Sequence, residues 1–301
     1  MSKETEKCIH FMKVSFGLDI SMYETSFLEM TIKTRMSALS IKTPEDYLLF
    51  LDIVPGESSE IIALLSNSYS EFFRNPLTFT YLEQVILPSL ILQKINNKEK
   101  EIRVWSAACA SGQEAYSLAI LFDEMVDRVK SPVSCHIFAT DINQAEVDNA
   151  QRGIYQTATV DKVSLKRIKT YFSQQDETFT VARQLREYIN FSVFDLLAEQ
   201  YICPPDSIYG NFDLVFCSNL LFYYKPEYRQ RIIDKAGNCL ASGGYLITGE
   251  TEREIVKENN YREVFLHSGI FQQRMKQFSD PSENQKANTG NLTTGHLKHE
   301  T

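Results

Sequence analysis

The sequence predicts an α/β protein in two parts: a small all-helical segment over residues 1–95, then a doubly wound, mainly parallel sheet over residues 101–278. Three observations carry this. Apolar residues recur at helical spacing up to the polar connector Asn96-Asn97-Lys98-Glu99-Lys100, and beyond it short apolar runs alternate with helical stretches. Residues 103–117, Arg-Val-Trp-Ser-Ala-Ala-Cys-Ala-Ser-Gly-Gln-Glu-Ala-Tyr-Ser, read as a strand that breaks into small residues and restarts as a helix. A second apolar run, Cys135-His-Ile-Phe-Ala-Thr-Asp141, ends on an acid after the intervening helix.

In chain order, Phe11, Val14 and Phe16, then Phe27, Met30, Ile32 and Met36, then Tyr47, Leu48, Leu51 and Ile53 predict short amphipathic helices. Thr43-Pro44-Glu45-Asp46 offers an N-cap Thr with Pro at the first helical position, and Pro88 is expected near the end of a helix starting at about Leu77. After the connector, strands are expected at Ile102–Ser106, His136–Thr140, Tyr188–Val193, Phe212–Cys217, Tyr245–Thr248, and Val264–Leu266 with Ile270–Arg274 as a closing antiparallel hairpin. The tail over 279–301, rich in Ser, Asn, Thr and Gly, has little to bury and is expected to be disordered.

Composition narrows the function. A chain of 301 residues with 43% hydrophobic content can bury a sizeable core. The net charge of −8 and pI near 5.3 argue against a nucleic-acid partner, because neutralising phosphates needs a basic face. The six cysteines form no C-x-x-C pair and lie mostly in apolar contexts, which predicts reduced thiols and a cytoplasmic location. No signal peptide or membrane-spanning run is evident, so the chain is not expected to be membrane-embedded. The five histidines show no H-E-x-x-H spacing, and no metal site is expected.

The junction after the first strand carries the chemistry. Ala107, Ala108, Ala110, Ser111 and Gly112 allow close approach of a ligand to the backbone, and the helix start behind them offers free N–H groups. The loop lacks both the three-glycine dinucleotide fingerprint and a phosphate-loop lysine, so a phosphate-free nucleoside suits it better. A right-handed crossover lays the second strand beside the first, where Asp141 can accept hydrogen bonds from two ribose hydroxyls. Separately the loop could be an ordinary turn and Asp141 a helix cap. Together they favour S-adenosylmethionine, which is cationic and carries no phosphate.

Three separated segments then resemble the CheR family of chemotaxis receptor methyltransferases: Ser70-Glu-Phe-Phe-Arg74 with Phe79 and Leu87-Pro88; Ser106-Ala-Ala-Cys-Ala-Ser-Gly-Gln-Glu114-Ala-Tyr-Ser117 with Ala139-Thr-Asp141; and Phe212-Asp-Leu-Val-Phe-Cys-Ser-Asn219 with Tyr223. Gly153-Ile-Tyr155, Tyr171-Phe172 and Gly243-Gly-Tyr-Leu246 leading into Gly249 and Glu252 also have counterparts. The resemblance implies a helical amino-terminal domain and a Rossmann-like class I S-adenosylmethionine-dependent methyltransferase domain with a small antiparallel β subdomain inserted at about 155–190. It implies methyl transfer to glutamate carboxylates on receptor cytoplasmic helices, giving the methyl ester and S-adenosylhomocysteine. Arg74 would orient the incoming carboxylate or the cofactor's methionine moiety, and the Tyr223 hydroxyl would hold the reacting group. Cofactor contacts carried over by the resemblance are Ser68, Ser70, Arg74, Ala108, Glu114, Asp141, Asp195, Leu196, Cys217 and Ser218.

Some positions depart from the family pattern. Ser218 stands where Arg is typical, Ser70 where Thr is usual and Ser68 where Asn is typical, with Asn67 one residue earlier. The segment Met30-Thr-Ile-Lys-Thr-Arg-Met36 keeps only Lys33 and Arg35 of an arginine-rich docking face. Tyr171–Val181 is short and without glycine, so no tether to a receptor C-terminal pentapeptide is expected. A monomer is expected. Two alternatives stay open: a cofactor-binding scaffold or regulatory protein with little turnover, and a methyltransferase for another protein or a small molecule.

Overall fold

The computed structural model describes residues 3–66, 69–130 and 132–274. The tail expected to be disordered lies outside them. Helices α1 (Lys3–Phe16), α2 (Thr25–Ala38), α3 (Pro44–Ile53) and α4 (Glu57–Leu65) surround a core of their own, with Met12, Leu28, Tyr47, Leu51 and Ile61 almost fully buried. The start of α3 follows from its sequence: the Thr43 hydroxyl accepts from the Asp46 amide at 3.2 Å and Pro44 occupies the first turn. Arg35 is not a surface cation. Its Nε and Nη2 donate to the two oxygens of Glu57 at 2.7 Å each, and the Tyr47 hydroxyl donates to the same carboxylate at 2.8 Å. Of the docking pair expected on α2, only Lys33 stays exposed and uncommitted to a carboxylate of the fold.

A second helical run joins α5 (Pro76–Tyr81) to α6 (Leu87–Asn97) through a π turn at Leu82–Ile86. The sequence places the end of this helix near Pro88, yet it continues to Asn97. The π turn supplies the reason. Leu87 N–H reaches back to Leu82, and the widened backbone makes room for a proline ring that would otherwise strike the carbonyl four residues earlier. Leu87, Leu90 and Ile91 of α6 join the main core beside Ile102 and Val104 of the sheet.

The main sheet comprises β1 (Glu101–Ala107) and β2 (Ser134–Asp141), with helix α7 (Gln113–Val129) between them and α8 (Gln144–Arg152) after them. A separate antiparallel sheet, β3 (Ile154–Gln156), β4 (Phe172–Gln175) and β5 (Thr178–Val181), follows with α9 (Leu165–Tyr171), where an insert is expected. The chain returns through α10 (Arg183–Arg186) to β6 (Ile189–Val193), β7 (Phe212–Phe216), α11 (Pro226–Asn238), β8 (Leu240–Ile247), α12 (Arg253–Lys257), β9 (Tyr261–Glu263) and β10 (Ile270–Gln273). The strand order is β6-β2-β1-β7-β8-β10-β9, parallel except for β10, which runs antiparallel to both neighbours.

The order reverses between β1 and β7, and ligands bind at such switch points beyond the carboxyl ends of the strands. Val104 lies opposite both Ile137 and Leu214, so β1, β2 and β7 end at one edge. The closing hairpin differs in detail from its expected form. Its first strand is Tyr261–Glu263, and the apolar run Val264–Leu266 forms the turn instead. Phe265 is drawn out of the ladder to stack on Tyr81 at 4.4 Å, while Leu266 points to solvent. Among the described residues, no helix is long and apolar enough to cross a membrane, no three His, Cys, Asp or Glu side chains are grouped to hold a metal, and all six cysteines are free.

Candidate active site

The loop after β1 is built from strained backbone. Ala108 and Ala110 have φ of 61° and 48°, and Gly112 has 92°. Alanine adopts the left-handed region at a cost, so the surroundings must hold it there. The Cys109 amide donates to the Thr140 carbonyl at 2.8 Å and the Ala110 amide to Asp141 Oδ2 at 2.9 Å. A Cβ on Gly112 would come within 2.9 Å of the Ala150 methyl, which explains the small residue. Asp141 Oδ1 accepts from the Asn143 amide at 2.9 Å, and burial lifts the carboxyl above the usual range despite these bonds.

Glu114, in the first turn of α7, takes a 2.7 Å bond from the Ser106 hydroxyl and a further one from Ser218. Burial nevertheless pushes its carboxyl up to about 7; the Ser106 hydroxyl, the Arg74 charge and the Ser218 hydroxyl oppose the rise, and the charge of Glu252 adds to it. A ligand bringing positive charge would restore ionisation.

Across the cleft, Arg74 sits between two residues in the left-handed region, Phe73 at φ 51° and Asn75 at φ 63°. A phenylalanine there is unusual. Its amide donates to the buried Ser117 hydroxyl at 2.9 Å, and its ring packs on Phe79 at 5.3 Å and under the Arg167 guanidinium at 4.6 Å. Phe72 locks the preceding turn against Tyr155 and Phe172 of the inserted sheet. The Arg74 guanidinium meets the Tyr69 carbonyl at 3.0 Å and the Tyr69 ring, and no ion pair among the described residues uses it. Neighbouring Glu71 is taken up by Lys162 of the insert and by the Tyr69 hydroxyl.

The third element is the loop after β7, organised by Glu252. This side chain has no exposure, and its carboxylate accepts from the amides of Asn219 (2.6 Å), Leu221 (2.5 Å) and Gly249 (3.0 Å) and from the Thr248 hydroxyl (2.9 Å). Tyr223 follows, its ring 4.6 Å from Phe27 of α2. Tyr23, just before α2, stacks on Tyr224 at 5.1 Å.

These elements line a cleft that opens to solvent. Of the residues expected at a site, Ser70, Arg74, Ala108, Glu114, Asp141, Asp195, Leu196, Ser218 and Tyr223 line it. Cys217 does not: its side chain is buried in the core cluster that holds Leu221 and Val256, and its amide pairs with the Ile247 carbonyl. Ser68 lies outside the described residues. Sequence reasoning missed Tyr23, Tyr69, Phe194 and Tyr224 in the lining. Tyr69 and Tyr224 adjoin residues that were singled out, whereas nothing local marks Tyr23, which reaches the cleft only through tertiary packing.

The residues present fit S-adenosylmethionine: an acid at the end of β2, small residues in the loop after β1, a buried carboxyl lifted to about 7 by desolvation, and no cluster of basic side chains in the lining to meet phosphates. With the sheet order above, they define a class I S-adenosylmethionine-dependent methyltransferase. A family model described as "CheR methyltransferase, SAM binding domain" matches residues 68–270, and the chain belongs to that family. Similar proteins include a chemotaxis protein methyltransferase of Borreliella burgdorferi, 29% identical over 252 residues, covering 83% of this chain and 87% of that protein. One from Listeria monocytogenes is 30% identical over 248 residues, covering 80% and 87%. Chemotaxis protein methyltransferase 1 of Pseudomonas aeruginosa is 28% identical over 267 residues, covering 86% and 93%.

Proposed function

We propose that this enzyme transfers the methyl group of S-adenosylmethionine to glutamate side-chain carboxylates on the cytoplasmic helices of chemoreceptors, giving the glutamate methyl ester and S-adenosylhomocysteine. The observation that carries this is Arg74, a guanidinium lining the cleft that forms no salt bridge among the described residues, in a cleft that also bears Glu114 and Asp141. One wall suits a cationic cofactor and the other an anionic acceptor. When bound, S-adenosylmethionine supplies an electrophilic methyl on a sulfonium. The carboxylate is already a nucleophile at neutral pH, so the protein's task is alignment and control of charge. Arg74 draws the acceptor carboxylate in and fixes its orientation, and the Tyr223 hydroxyl holds the reacting group. Asp141 takes the ribose, Glu114 the cofactor's amino group, and Asp195 with Leu196 the adenine edge. Ser68, Ser70, Ala108, Ser218 and the Cys217 backbone complete the cofactor's surroundings.

The same proposal covers organisation. Residues 1–95 form a helical unit ahead of a methyltransferase unit spanning 101–278, and the later part of the helical unit, from Ser70 on, lends Ser70 and Arg74 to the cleft, in a cytoplasmic monomer. The turn at Asp176-Glu177 that joins β4 to β5 leaves little loop for capturing a peptide, which supports methylation without a pentapeptide tether. The test is transfer of labelled methyl to a demethylated receptor signalling fragment, read as base-labile release of methanol. Base-stable label, or none, would count against a carboxyl ester.

A further inference from the structure

We propose that Arg229, paired with Glu24, is a positioning residue for Tyr223 in methyl transfer, so that the start of α2 and the transfer centre behave as one body. This rests on the role given to Tyr223 above. Arg229 lies on α11, behind the cleft wall. Its Nε donates to the Leu221 carbonyl at 3.1 Å and to the Tyr224 carbonyl at 2.6 Å, while Nη2 donates to the Glu24 carboxylate. The carbonyl of Tyr223 itself accepts from the Glu24 amide at 2.8 Å. Three carbonyls around one short turn, at 221, 223 and 224, are thus held by two residues that also hold each other.

The surrounding contacts make the seam continuous. Tyr23 and Tyr224 form a backbone bridge as well as a stacked pair, and the Lys225 amide donates to the Met22 carbonyl at 2.9 Å. On the opposite side Glu252 binds the Asn219 and Leu221 amides. Glu252 therefore grips the entry of the turn and Arg229 its exit, with Tyr223 between them. One Nε–H is shared by the two carbonyls while Nη2 of the same rigid plane reaches the carboxylate, a fixed spread of donors that a lysine ammonium, with its donors on one atom, does not match. Both side chains are mostly shielded, at 21% and 29% exposure, so solvent competes weakly for these bonds.

The experiment measures kcat and both KM values of Arg229→Gln, with and without Tyr223→Phe, alongside cofactor-product affinity by calorimetry and the melting temperature. Arg229→Gln should lower kcat about tenfold and leave the cofactor KM within about twofold, the signature of lost alignment and not of lost binding. In the Tyr223→Phe background it should cost nothing more, and Arg229→Lys should recover only part of the loss. Glu24→Gln, which keeps the amide to Tyr223, should give a smaller loss with the same dependence on Tyr223. That variant decides the matter should Arg229→Gln not fold. The inference is overturned by an unchanged kcat in Arg229→Gln, by losses that multiply with Tyr223→Phe, or by a loss matching the fall in folded fraction. A Tyr223→Phe enzyme with full kcat removes Tyr223 from the reaction and this inference with it. A slow Tyr223→Phe beside an unaffected Arg229→Gln removes the inference alone.

Discussion

The two walls of the cleft are held by different means. On the sheet side, Ala108, Ala110, Glu114 and Asp141 stand on strand ends and a helix start, and backbone hydrogen bonds force the connecting loop into left-handed conformations. On the helical side, Tyr23, Tyr69, Ser70 and Arg74 arrive from segments ahead of the first strand and are fixed by aromatic packing and ion pairs to distant elements. The sheet wall is acidic, and the unpaired charge on the helical wall is Arg74, because Lys162 occupies Glu71. A reaction between a sulfonium and a carboxylate needs this division, since each partner must meet the opposite charge while the two are held in line.

Removing Arg74 breaks the division at its strongest point. Arg74→Ala should lower kcat by about 10²–10³-fold, the usual cost of losing an oriented charged donor, while the melting temperature and product-cofactor affinity stay near those of the parent. Arg74→Lys should regain only a fraction, because a point charge cannot fork a carboxylate. A rate within about twofold of the parent for Arg74→Ala would remove this residue from the mechanism.

Asp141→Ala tests the other wall and should show next most strongly, in binding. It withdraws the acceptor for the Ala110 and Asn143 amides as well as the proposed ribose contact, so product-cofactor affinity should fall about 100-fold, with some loss of stability. A lower melting temperature with unchanged affinity would make Asp141 a loop clamp and nothing more.

The same contrast explains how much of the molecule could be read from its sequence. The sheet wall is legible because strand, small-residue loop, helix and terminal acid follow one another within a single crossover, and local order fixes where Ala108 and Asp141 end up. The helical wall is legible only at Ser70–Arg74, through family resemblance. Tyr23 lies far from every other lining residue in sequence and reaches the cleft through a bridge to Tyr224 that no periodicity encodes. Two elements depart from their local signals. Pro88 reads as a helix end and Val264–Leu266 as a strand, yet a π turn within the helix accommodates the first and the Tyr81–Phe265 stack draws Phe265 away from the ladder in the second.

A pH series sharpens the charge division further. The Glu114 carboxyl lies at about 7 against an ordinary 4.5, so between those values the native protein holds a proton that the unfolded chain has released. The contribution of this group to stability is therefore greatest in acid, declines as pH rises from about 4.5 to about 7, and is level above that. Binding of a cationic ligand favours the ionised form and releases a proton where the group is protonated, so affinity should rise with pH up to about 7 and level off above it. Glu114→Gln should flatten both profiles and cost about tenfold in affinity at pH 8. A parent enzyme whose affinity is independent of pH from 5 to 8 would exclude Glu114 as the partner of the ligand's positive charge.

The smallest effect separates two residues of α2 that look alike in sequence. Arg35 is committed to Glu57, a carboxylate only 3% exposed, so Arg35→Ala strands a buried charge and should destabilise the amino-terminal helices by about 3 kcal/mol. Lys33 is exposed, so Lys33→Glu should leave the melting temperature unchanged and raise the KM for an acidic receptor fragment about threefold, more at low ionic strength than at high. Both substitutions weaken methylation in a single-point assay, and only melting curves beside a salt series tell them apart. If Lys33→Glu leaves KM unchanged at low salt, the exposed face of α2 does not take part in docking, and attraction of the acceptor falls to Arg74 inside the cleft.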